Sequence, residues 1–100
     1  MKCKVTRNAA KIIQQELDME ENKELKLRIL ISHKHGSHAH YAMDLDMPKE
    51  QDEVITTDKG FDIILDRNEE LLDGIIVDYL YAPEEGFVIT NPSKGNHGDH

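Results

Sequence analysis

The sequence predicts a single α+β domain whose strands pair mainly antiparallel. Three observations carry this reading. Residues 25–47 place apolar side chains at every second position on both sides of Gly36-Ser37, the mark of two half-buried strands joined in a hairpin. Residues 7–19 space their apolar side chains for one face of a helix. The rest of the chain to residue 92 breaks into short β-rich runs separated by Asp, Asn, Gly and Pro clusters, with room for only one further short helix.

Taken in order, residues 2–5 make a short edge strand. Thr6 is a helix N-cap, its hydroxyl placed to accept from an otherwise orphaned backbone N–H, with Val5 and Ala10 spaced as a hydrophobic staple. Ala9, Ile13 and Leu17 then recur at four-residue intervals beside Ile12. That narrow stripe suits a helix over 7–19 that covers a sheet. Residues 20–23 are a polar connection. In the hairpin, Leu25, Leu27, Ile29 and Ile31 alternate on one side, and Ala39, Tyr41, Met43, Leu45 and Met47 on the other. A charged loop from Pro48 to Asp52 leads to a β-branched strand at 54–57, a turn at Asp58-Lys59-Gly60 and a strand at 61–65. Asp66 or Asn68 is expected to cap a short second helix through Leu72, ended by Gly74 in the left-handed position. Strands at 75–81 and 87–89 follow, separated by Pro83-Glu84-Glu85-Gly86, and Asn91-Pro92 stops the last one. The expected organisation is one domain over 1–92 and a flexible polar tail over 93–100.

Bulk properties narrow the function. Twelve basic against 20 acidic residues leave a net charge of −8 in 100 residues, which opposes nucleic acid and anionic membranes, since both require a basic surface. No stretch approaches the roughly 18 apolar residues of a membrane span, and the first residues lack the apolar run of a secretory signal. One cysteine, Cys3, cannot close an internal disulfide. A cytoplasmic location is expected. No nucleophile, base and orienter combination and no phosphate loop is legible, so an enzyme is not expected. The acidic residues Asp44, Asp46, Asp52 and Glu53 lack EF-hand spacing and are expected to form a solvated rim.

Several strings in one order resemble a known family. Leu27-Arg28 opens the hairpin, Tyr41 follows its tip, and Asp58-Lys59-Gly60 precedes a β-run. Leu72-Asp73-Gly74, Asp78, Gly86-Phe87 and Thr90-Asn91-Pro92 complete the pattern. Together they are similar to the HesB/IscA/SufA family, the A-type proteins of iron–sulfur cluster biosynthesis, from Val5 to Pro92. The resemblance implies a HesB-like compact domain of two small, mainly antiparallel β-sheets with an N-terminal helix and a short second helix. It also implies protein partners, a homo-oligomer, and delivery of iron or a [2Fe–2S] cluster. The family holds its metal with a cysteine in the hairpin-tip loop and a Cys-Gly-Cys near the C-terminus. Here Gly36 stands at the loop position and the tail has no cysteine. No ligand residue carries over, and a stable [2Fe–2S] cluster is not expected, because such clusters are held by thiolates.

Histidines occupy both neighbourhoods instead: His33, His35, His38 and His40 at the hairpin, His97 and His100 in the tail. Imidazole binds iron and other transition metals, so His33, His35, His38, His97 and His100 are the candidate metal ligands. The alternative is a protein-interaction module that kept the fold and lost the metal, with the strand edge at 87–89 as its contact surface. Register decides which histidines can cooperate. A two-residue turn at Gly36-Ser37 pairs His35 with His38 and His33 with His40 on one face, but sets Ile29 against Asp44. A three-residue loop through His38 pairs Ile31 with Met43 and Ile29 with Leu45. Burying one such side chain is worth roughly 1.5–3 kcal/mol, so the longer loop is expected, with His33 and His35 continuing the buried face and His40 pointing away.

Overall fold

The computed structural model describes residues 1–36 and 38–92, and only the backbone of His38. The tail over 93–100, with its candidates His97 and His100, lies outside the described residues. Among the described residues, seven strands and one α-helix run in the order β1 (Cys3–Val5), α1 (Arg7–Met19), β2 (Lys26–His35), β3 (His38–Asp46), β4 (Asp52–Thr56), β5 (Asp62–Asp66), β6 (Ile75–Leu80) and β7 (Gly86–Thr90). They form a three-stranded sheet of order β1-β6-β7 and a four-stranded sheet of order β3-β2-β5-β4. Both sheets are mixed: β1 runs parallel to β6 and β2 parallel to β5, while β2–β3, β4–β5 and β6–β7 are antiparallel.

Local chemistry sets the helix. The Thr6 hydroxyl accepts from the N–H of Ala9 at 3.3 Å and donates to Asp78 Oδ1 at 2.7 Å, so the cap also anchors α1 to β6. Ala9, Ala10 and Ile13 are the buried face of α1. They join Val5, Leu27, Ile29, Ile63, Leu65, Leu72, Ile75 and Val77 in one core between the sheets. β5 reads Ile63-Ile64-Leu65 without alternation, and all three are fully buried. As an inner strand it is covered on both faces, which removes the polar-out half of the pattern.

The expected second helix is instead a three-residue 3₁₀ turn, Glu70–Leu72. Neither Asp66 nor Asn68 caps it: Asp66 Oδ1 accepts from the N–H of Asn68 at 2.9 Å in a local turn, and Glu69 at the cap position makes no side-chain capping bond. The few residues between that local turn and Gly74 leave too little chain for an α-helix to repeat its hydrogen bond. Gly74 does adopt positive φ, at 94°. The carbonyl of Leu71 accepts from the Tyr41 hydroxyl at 3.1 Å and from Asn91 Nδ2 at 2.8 Å.

Asp52 also departs from expectation. It is not part of a solvated rim but buried, facing Arg28 through two hydrogen bonds, Nη1 to Oδ1 at 2.8 Å and Nη2 to Oδ2 at 2.5 Å. Arg28 Nε also donates to Asp46 at 3.0 Å, and the backbone N–H of Lys49 donates to Asp52 at 2.7 Å. A fixed guanidinium fork matches a carboxylate in this bidentate way. The result ties the base of the β2–β3 hairpin to the loop entering β4.

Candidate functional site

The tip of the β2–β3 hairpin satisfies two demands at once. At the end, Gly36 at φ 62° supports a tight turn, and the strands pair His35 with His38, Lys34 with Ala39 and His33 with His40. Nearer the base, Ile31 faces Tyr41, Ile29 faces Met43 and Leu27 faces Leu45. The register shifts between Ile31 and His33, leaving Ser32 as the extra residue of a β-bulge. The Ser32 hydroxyl donates to the carbonyl of His40 at 3.1 Å and closes the bulge.

This corrects the expected three-residue loop. The bulge lets the short turn form while the apolar pairs still meet, so burial no longer competes with the turn. It also moves His33 to the outer face, opposite to expectation. His33, His35 and His40 are all exposed, whereas Ala39 is buried. His33 and His40 face each other with ring centroids 5.9 Å apart and planes tilted by 42°. His40, expected to point away, is therefore the residue the structure brings to His33. A signal for this was present: apolar alternation stops at Ile31 on one strand but runs on to Ala39 on the other, a mismatch that one extra residue absorbs. Lys34 lies on the opposite side and pairs its ammonium with Glu69 at 2.5 Å.

Of the candidate ligands, His33 and His35 lie on this face of β2, and the backbone places His38 opposite His35. Among the described residues no group of three or more His, Cys, Asp or Glu side chains is placed to hold a metal ion. Cys3 is on β1, and burial pushes its thiol up to about 12. Gly36 offers no side chain at the tip. These residues do not fit a cysteine-held [2Fe–2S] cluster, which requires thiolates.

A second surface belongs to the interaction reading. Among the described residues β7 is an edge strand, and Phe87 on it is 37% exposed. Its ring meets Tyr79 edge-on at 4.9 Å. A groove of about 300 Å³ lies beside it, lined mainly by Ile13, Leu27, Met43 and Leu45 and bordered by Glu16 and Asp44. No helix among the described residues is long and apolar enough to cross a membrane.

No family model and no curated protein sequence matches the chain. Among solved structures, Escherichia coli SufA, a protein involved in biosynthesis of iron–sulfur clusters, matches with a TM-score of 0.74 at 19% identity, covering 90% of this chain and 80% of that one. With this likeness the chain is shown to have the A-type, SufA-like fold that its sequence resembles.

Proposed function

We propose that this chain is an accessory protein of iron–sulfur cluster biosynthesis that handles metal without a cysteine-held cluster and works through protein partners, with no reaction of its own. One observation carries the reading: a SufA-like fold presents facing imidazoles at the hairpin tip, beside the position where the resembled family keeps a thiolate. Imidazole binds iron and its neighbours in the first transition row as single ions. Exchange of an ion at an exposed tip needs no opening of the core. The acidic surface suits a basic protein partner better than nucleic acid.

Anaerobic incubation of the full, untagged chain with iron and sulfide tests this. The expected result is bound metal by elemental analysis with no visible cluster absorption. A stable cluster chromophore would overturn the cysteine-free reading, and absence of bound iron here together with no binding of Zn²⁺, Ni²⁺ or Cu²⁺ would remove metal handling.

A further inference from the structure

We propose that the His33–His40 rung is a two-imidazole site for one borderline divalent ion, Zn²⁺, Ni²⁺ or Cu²⁺, whose remaining coordination positions stay open. This rests on the metal-handling reading above and names its ligands.

The geometry suits a chelate. A ring nitrogen lies about 2.0–2.1 Å from a bound Zn²⁺, which puts each ring centroid roughly 3.2 Å from the ion. Two imidazoles on one ion then have centroids roughly 5–6 Å apart, depending on the angle at the metal. The observed 5.9 Å falls in that range, so small side-chain rotations bring both rings to one ion. The residues are directly opposed across the two strands, where Cβ atoms lie about 4.5–5.5 Å apart. The Ser32 hydrogen bond to the His40 carbonyl holds the rung beside the bulge. Lys34 turns its charge away to Glu69, which leaves the imidazole face free of that cation.

Only two protein ligands leave at least two positions on a four-coordinate ion. Sites that keep open positions exchange ligands, whereas closed four-ligand sites hold metal structurally. An ion here can therefore take a further ligand from a partner. His35, paired with His38 two residues nearer the turn, continues the run of imidazole-bearing residues along the same strands. Among divalent ions the expected affinity order is Cu²⁺ first, then Ni²⁺ and Zn²⁺, with Fe²⁺ and Mn²⁺ weaker.

Calorimetric titration of the untagged full chain with Zn²⁺, Ni²⁺ and Cu²⁺ separately tests the site, with imidazole proton resonances followed by NMR. One ion per chain is expected, with shifts at His33 and His40. Either His33→Ala or His40→Ala lowers affinity by roughly tenfold or more, because the second imidazole no longer binds at high effective concentration. The double variant is scarcely weaker than either single one, since the pair acts as a unit. His97→Ala and His100→Ala stay within about threefold of the parent. His33 and His40 are both exposed, and an unchanged circular dichroism spectrum shows that their variants fold. Parent affinity in both single variants would overturn this site while leaving metal handling intact. Loss of binding in His97→Ala alone would move the site to the tail, and no binding of any ion would overturn both readings.

Discussion

Tyr41 on β3 and Asn91 just beyond β7, from the two different sheets, donate to the same acceptor, the carbonyl oxygen of Leu71. Asn91 also donates to the carbonyl of Asp73 at 2.9 Å and is fully buried. The 3₁₀ turn is thus the joint at which the histidine-bearing hairpin meets the end of β7. Both donors come from strings that marked the family resemblance. In this chain their role is positional.

Removing these donors has graded consequences. Tyr41→Phe keeps the ring and leaves one donor on the Leu71 carbonyl, so a loss of about 1 kcal/mol is expected. Asn91→Ala removes the amide that serves two backbone carbonyls in a buried position, for which roughly 2–4 kcal/mol is expected. Urea unfolding measures both, and equal losses would contradict the added weight given to the second, Asp73, acceptor of Asn91.

The Arg28–Asp52 pair makes a second prediction. Asp52 has no solvent-exposed side-chain area, so Arg28→Ala leaves a buried carboxylate without its charged partner. The expected loss is about 3–5 kcal/mol, while the double change Arg28→Met with Asp52→Leu recovers much of it. A double variant as unstable as the single one would show that the guanidinium acts through packing alone.

Acid should destabilise the fold through the same pair. Hydrogen bonding from Arg28, with help from the Lys49 N–H, holds the Asp52 carboxyl below the usual carboxylate range. A carboxyl lowered in the folded state contributes its full stability above the unfolded pKa of about 3.9 and loses it as pH falls through the folded value. Asp46 acts in the same direction, chiefly through the Met47 N–H and then Arg28. The melting temperature should therefore fall below about pH 4, and the fall should be shallower in Asp52→Asn.

Gly36 is held at the tip by conformation, not by crowding. Among the described residues, chain neighbours aside, a Cβ added there would meet no atom within 4 Å, yet φ is +62°. Gly36→Ala is expected to cost about 1 kcal/mol, the usual penalty for a side chain in the left-handed region. Gly36→Cys should cost the same and still form no cluster chromophore on iron and sulfide treatment, because it supplies one thiolate alone. A stable chromophore in that variant would show that other residues complete the ligand set.

Cys3 should behave as a packing residue. With its thiol pushed up to about 12 by burial, the thiolate fraction at pH 8 is on the order of one part in ten thousand. Reaction with a disulfide reagent should be slow in the native protein and faster by roughly a hundredfold or more in urea. Equal rates in the two conditions would mean that β1 frays from β6.

Sequence alone determined what depends on neighbours along the chain. The limits of α1, its Thr6 cap, the existence of the hairpin and the turn at Gly74 all follow from periodicity and the preferences of single residues, and all appear in the structure. The SufA-like arrangement was legible from the order of short strings. Tertiary structure decided the rest. The buried state of Asp52 depends on Arg28, 24 residues earlier, and no local pattern distinguishes it from the exposed carboxylates around it. The second helix shrank to a 3₁₀ turn whose Leu71 carbonyl is taken by Tyr41 and Asn91, donors far from it along the chain. At the tip, alternation alone offered two registers, and the fold took the turn of one and apolar pairing of its own by inserting Ser32. One residue of slip reverses the face of every side chain beyond it, and that is why His33 meets His40.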